Sequence, residues 1–465
     1  MKRNLFALLL LTTLVFQPAA FAQTVQVKIT PAERKIAENV TAKQLSDYLH
    51  FVASDEMEGR DTPSRGLDLT AKFIAMNLSR WGFKPAGDDG TFFQNIAVST
   101  TKVNPAATTM TIDGKTLVWG TDYLATPSAA SVPSAPVVFG GNGWAIKARN
   151  IDALKDAEVT GKIVVLYMEN LPPGMNLQQL RALGRSGVDY VDPVSNARAK
   201  GAAGVILLPT QQTITNWDRS RTTREQGGAF GVDKLRPASA PFPVVVLSQA
   251  AANDLLAGTG NDLAAVVKAY PQGPPLSINL NKAAAVNVAA TSVATKTQNV
   301  VAIWEGSDSV LKNEMVAIGA HYDHVGINPN APGPDKIWNG ADDDGSGTVA
   351  VLAIAEALAK APARPKRSVL FVWHCGEEKG LWGSEYFNKF PTVDIKNVIA
   401  QLNIDMIGRS KKDGDTNPRN KDLTGPDGVY VIGSEMMSST LGSITRGTND
   451  AFLKLGYDYK YDDPK

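Results

Sequence analysis

Cysteine is nearly absent: Cys375 is the single one among 465 residues, which excludes an internal disulfide framework. It stands beside a pair of glutamates, where a small buried filler is the simplest role for a free thiol. Histidine is also scarce, with only His50, His321, His324 and His374. Neither sign of charge prevails, since 47 Lys and Arg face 46 Asp and Glu for a net charge of +1. Nothing in that balance calls for nucleic acid or an anionic membrane as a partner. Long apolar runs are missing too. Leu5–Phe16 is the longest, and it falls short of the roughly 20 residues that span a bilayer. With Lys2 and Arg3 before it and Ala20-Phe21-Ala22 after it, this run reads as a signal segment over residues 1–22, cleaved after Ala22. The expectation is export without a stable membrane anchor, to a periplasm or the medium.

What is present is an ordinary globular composition, 43% hydrophobic and 20% charged, in a chain long enough for two domains. Leu45, Leu49 and Val52 recur at helical spacing, and a second helix is expected from about Leu67 to Trp81, with Ala71, Ile74, Ala75 and Leu78 on one face and Gly82 as its cap. From about Thr108 to Lys282 short strands dominate, including Pro136–Phe139, Lys162–Tyr167, Val205–Leu208 and Phe242–Leu247. No acid/base pair or metal spacing occurs there. Beyond it the pattern is α/β. Asn299–Trp304, Glu314–Ala320, Arg367–Trp373 and Val398–Ile404 are short apolar runs of the kind buried under helices on both faces, and Thr348–Lys360 is an amphipathic helix. A last helix is expected to end at a Gly456 cap.

Four motifs between Ala320 and Asp405 carry the chemistry: A-H-Y-D-H-V-G, N-G-A-D-D-D-G-S-G, H-C-G-E-E-K-G-L-W-G-S and N-I-D-M-I-G. Three of them follow apolar strands. In open α/β sheets ligands gather beyond the carboxyl ends of the strands, so His321, the Glu377–Glu378 pair and Asp405 converge on one edge. A His/carboxylate set suits catalytic zinc. Asp323, two residues after His321, is placed to orient its imidazole. Asp342-Asp343-Asp344 crowds negative charge that a cation would relieve, and one carboxylate can bridge two metals roughly 3.5–4 Å apart. Two dications would balance three ligand carboxylates and one hydroxide. Of the adjacent Glu377 and Glu378, one can bind metal while the other handles a proton.

These motifs resemble those of the co-catalytic di-zinc aminopeptidases of the bacterial leucyl type, and the 108–282 region resembles the protease-associated (PA) domain inserted in many of them. The resemblance implies a zinc exopeptidase fold: a mixed, mostly parallel sheet covered by helices, with the β-rich PA domain inserted. The implied layout is residues 23–107 and 283–465 for the peptidase domain and 108–282 for the insert. It implies two zinc ions, with His321 and Asp405 on one, Glu378 on the other and Asp343 bridging. Glu377 matches the general base and Asp323 the residue that orients His321. It also implies a cis peptide between Asp343 and Asp344. One departure stands out. The family completes its second zinc with a later histidine, and none follows Asp405 here, so that sixth ligand is expected beyond Lys465. His324 and His374 are possible substitutes, though neither lies where the family places its ligand.

The leading expectation is therefore an exported zinc aminopeptidase acting on peptides with a free N-terminus through metal-activated water. A zinc carboxypeptidase of the glutamate-releasing type is the alternative. It needs a cationic pocket, and no arginine cluster flanks the motifs, although Arg409 follows Asp405 closely. A catalytically inactive peptidase-like binding protein is a third possibility, disfavoured by the intact motif residues.

Overall fold

The structure is a computed structural model that describes residues 27–236, 240–270 and 278–462. The expected signal segment, residues 1–22, lies outside them. No described helix is long and apolar enough to cross a membrane. The chain divides into two compact units, Met1–Gln94 with Gln298–Lys465, and Asn95–Thr297.

In the first unit the Ala42–Val52 helix opens on a capping box, in which the Thr41 side chain accepts from the Gln44 amide and the Gln44 side chain reaches back. The Arg65–Arg80 helix is capped by Ser64 and buries Leu67, Ala71, Ile74, Ala75 and Leu78. That is the apolar stripe its periodicity predicts. The sheet of this unit places the Ser368–His374 strand between Ala290–Trp304, to which it is antiparallel, and Met315–His321, to which it is parallel. Val398–Asn403 then pairs parallel with Met315–His321. Three parallel strands thus present their carboxyl ends to one edge, with His321 directly opposite His374 in register. The Gly347–Ala359 helix is buried along most of its length, including Val349, Val351 and Leu352, each such side chain contributing roughly 1.5–3 kcal/mol of burial.

Two expectations fail here. Val398–Ile404 reads as a strand buried on both faces, yet Val398–Asn403 is an edge strand with Ile399 53% and Leu402 46% exposed. Among the described residues only Met315–His321 pairs with it, and composition does not reveal whether a strand has one neighbour or two. Gly456 does not cap a helix either. The Ser439–Ala451 helix stops five residues earlier, and Gly456 opens the strand Gly456–Asp458.

The second unit is built on an eight-stranded sheet. Its centre is parallel: Ala130–Phe139, Ile163–Leu166, Gly204–Leu207 and Val244–Leu247 lie side by side in that order. Antiparallel strands flank them, Tyr123–Ala125 beside Val244–Leu247 and Lys282–Val288 beside Ala130–Phe139. This unit extends past Lys282 because the Lys282–Val288 strand pairs on both sides with strands of its own sheet. One core of Val, Ile, Leu and Ala side chains, including Val165, Ile206, Val245 and Leu255, runs along the sheet and its Gln249–Leu256 helix.

Candidate metal centre

His321 is the last residue of its strand and is 4% exposed. Its backbone carbonyl accepts a 2.7 Å bond from Thr348 Oγ1, and Trp373 Nε1 donates to the Thr348 carbonyl. Buried donors are thus spent on holding the strand end. The imidazole Nε2 lies 3.1 Å from Asp343, 3.8 Å from Asp405 and 4.0 Å from Glu377, while Nδ1 lies 3.5 Å from Asp323. Asp323 is fully buried and accepts from the backbone N–H of Glu377 at 3.1 Å and of Glu378 at 3.4 Å. One carboxylate therefore ties the His321 strand to the turn that presents both glutamates.

The three consecutive aspartates divide their work. Asp342 accepts from the Gly408 amide at 2.9 Å and pairs with Arg409 Nε at 3.3 Å. Asp344 accepts from the amides of Gly347 and Met406 at 2.9 and 3.2 Å, fastening the start of a helix to the residue after Asp405. Asp343 between them faces the histidines, and the Asp343–Asp344 peptide is cis. The turn tolerates no side chain at two glycines. A Cβ on Gly340, whose φ is +59°, meets His324 Cγ at 2.5 Å, and one on Gly347 meets the Ile404 carbonyl at 2.2 Å.

Donor atoms gather in two groups, each within 4.8 Å: His321, Asp344 and Asp405, and His324, Asp343 and Glu378. All six motif residues expected at the site are brought to this edge. His374 is not among them. It ends its own strand beside His321 but belongs to neither donor group, and burial lowers its pKa to about 4. His324, by contrast, is drawn in, its Nδ1 lying 2.8 Å from Glu378 Oε1. The sequence shows His324 three residues after His321, but no periodicity says where a loop side chain points. Asp344 and Arg60 were also not singled out. Arg60, which ends the short helical turn Asp55–Arg60, is fully buried and donates to the carbonyls of Val52, Tyr322, Asn339 and Gly340 at 2.7–3.0 Å.

The electrostatics of the cluster call for a cation. Burial works against a charge on His321, yet the carboxylates of Asp323 and Asp343 overcome it and raise its pKa to about 11. Burial lifts Asp344 to about 8, with Asp405 adding to the rise. Burial likewise raises Glu377, Glu378 and Asp405 above the ordinary carboxylate range. Several buried atoms have no hydrogen bond among the described residues: His321 Nδ1, His324 Nδ1, Glu378 Oε1 and Asp344 Oδ2. Buried polar atoms are rarely left so. His324 Nδ1 and Glu378 Oε1 are close together without the angles of a hydrogen bond, as two ligands aimed at a shared point are. This imidazole and carboxylate set fits zinc.

Residues 299–442 match the model of peptidase family M28, and residues 133–255 match that of the PA domain. A leupeptin-inactivating enzyme of Streptomyces exfoliatus is 34% identical over 119 residues, 25% of this chain and 24% of that protein. Leucine aminopeptidase 2 of Trichophyton rubrum is 33% identical over 142 residues, 29% of this chain and 25% of that protein. The matches thus span about a quarter of those relatives' length. Among solved structures, the aminopeptidase from Aneurinibacillus sp. strain AM-1 is similar at 18% identity and a TM-score of 0.45, over 92% of this chain and 83% of that one.

Proposed function

We propose that this chain is an exported zinc-dependent aminopeptidase that removes N-terminal residues from peptides. The observation that carries the reading is the approach of His321 Nε2 to Asp343 and Asp405, at 3.1 and 3.8 Å, beside the His324–Asp343–Glu378 donor group, at the carboxyl ends of parallel strands within the M28-matching segment. The M28 match and the leucine aminopeptidase among its relatives support a peptide substrate.

Bound at this edge, zinc would supply Lewis acidity, polarising a carbonyl and easing deprotonation of water. His321, Asp405 and Asp343 would hold one ion. Glu378 and Asp343 would hold the second, with His324 as its imidazole ligand. Among the described residues the Glu377 side chain makes no ion pair apart from its 4.0 Å approach to His321, and it is 35% exposed. It can take a proton from the attacking water and pass it to the leaving amine. Asp323 positions His321 and both glutamates. All seven of these residues fall outside 108–282, which supports treating that segment as an insert that carries none of the chemistry. The carboxypeptidase alternative draws no support from Arg409, which is paired with Asp342.

The test combines metal analysis with two substrates, a dipeptide with a free amine and the same dipeptide acetylated. Close to two zinc ions per chain and hydrolysis of the free-amine form alone are expected. Equal cleavage of both forms would refute the aminopeptidase assignment, and a metal-free, inert protein would favour the binding-protein alternative.

A further inference from the structure

The parallel centre of the second unit also ends in a cleft. Its volume is about 660 Å³, within the usual range for small-ligand sites. Met168 and Asn170 follow the Ile163–Leu166 strand, Leu208 and Thr210 follow Gly204–Leu207, and all four line it. The cleft therefore sits where α/β sheets bind ligands. Its roof is the segment from Gln211 to Gly227, two short helices and a wide turn. Two tryptophans anchor that roof: Trp217 Nε1 donates to the Gly120 carbonyl at 2.7 Å and Trp119 Nε1 to Glu225 at 2.9 Å.

The chemistry of the lining is one-sided. Arg219 and Arg224 line the cleft, as do hydroxyl and amide side chains, but no Asp or Glu does. The acids of the roof are engaged elsewhere. Asp218 and Glu225 pair with Arg221, at 3.6 and 4.0 Å, and Glu225 also holds Trp119. Neither Arg219 nor Arg224 has an acidic partner within 4.0 Å among the described residues. Arg224 is half-buried, and desolvation alone lowers its pKa. A guanidinium taken partly out of water without a counter-ion destabilises a fold. The geometry of a planar fork suits a carboxylate, and the apolar floor of Leu208 and Val246 suits an organic anion better than a fully hydrated inorganic one.

We propose that this cleft binds the C-terminal carboxylate of a short peptide, with Arg224 as the main ligand and Arg219 assisting. The choice of a peptide as bearer of the carboxylate rests on the proposed peptidase function; the anion preference does not. The probe is N-acetyl-Ala-Ala-Leu, whose blocked amine removes the group an aminopeptidase centre would require, compared with its C-terminal amide. Both are titrated calorimetrically into the full chain, zinc-loaded and EDTA-stripped. The acid should bind about tenfold or more tighter than the amide in both metal states. Arg224→Gln should abolish that preference and Arg219→Gln weaken it, with neither lowering the thermal midpoint. Equal affinity for acid and amide overturns the proposal, as does a preference that survives both substitutions together. A preference that disappears with zinc places the carboxylate at the metal centre instead, and also overturns it. A midpoint lowered by Arg224→Gln would mark the arginine as structural and refute its role as ligand. Failure of the peptidase assignment would appear separately, as absent hydrolysis with this binding intact.

Discussion

Both units end a set of parallel strands in a cluster of polar side chains, but the clusters have opposite sign. The first presents carboxylates and imidazoles, whose burial raises the carboxylates' pKa and leaves donor atoms unpaired. The second presents two guanidinium groups and no acid. Strand topology therefore decides where a ligand can sit, and the loop residues decide what it is. The contrast sharpens at two arginines. Arg60 in the first unit is fully buried, and four carbonyls satisfy it. Arg224 in the second is half-buried and has no such partners among the described residues. One holds a structure together; the other waits for a ligand.

The largest expected effect tests the acidic edge. Glu377→Gln should cut hydrolysis by roughly 10²–10⁴-fold while leaving zinc content unchanged, because it removes a proton carrier and not a metal ligand. Steady-state turnover beside metal analysis measures this, and near-normal turnover would sink the assignment. His324→Ala should weaken the second zinc equivalent by at least about tenfold and spare the first, read from a competitive zinc titration. Loss of both equivalents together would mean that His324 shapes the whole site.

The arginine contrast is tested next. Arg60→Met should destabilise the protein by about 3 kcal/mol, because it orphans several buried carbonyls at once. Chemical denaturation measures it, and a cost as small as that of Arg224→Gln would erase the distinction between the two residues.

The smallest effect lies away from both sites. Tyr48 Oη, Lys360 and Gln44 converge on Glu356, the first two at 2.6 and 2.7 Å. Burial opposes the charge, but these partners hold its pKa below 4.5. A depressed carboxylate contributes stability above its unfolded pKa and loses it as pH falls through the folded one. Glu356→Gln should therefore cost about 1 kcal/mol at pH 7, with the gap to the parent closing below pH 4.5. A gap independent of pH would show that the charge contributes nothing.

Much of the fold was legible because its elements announce themselves locally. The Arg65–Arg80 helix carries its stripe at helical spacing, and the apolar runs before His321 and His374 stop where polar motifs begin. Neighbours were not legible. Val398–Asn403 has the composition of a strand covered on both faces, yet Ile399 and Leu402 are exposed and among the described residues it pairs on one side alone, since what covers a strand depends on other segments. His324 was legible only as one of two possible substitute ligands, with nothing in the sequence to choose it over His374. Its meeting with Glu378 needs the His321 and His374 strands in register, so that two separate loops face each other.

Local chemistry written along the chain determined the strand-ending motifs and the crowded aspartates, because apolar period and charge density act over a few residues. Tertiary structure alone decided that Asp323 holds both glutamate amides, that Arg60 gathers four carbonyls from distant segments, and that Arg219 and Arg224 share a cleft without an acid. Each of those facts depends on groups far apart in sequence meeting in space, and no local pattern encodes such a distance.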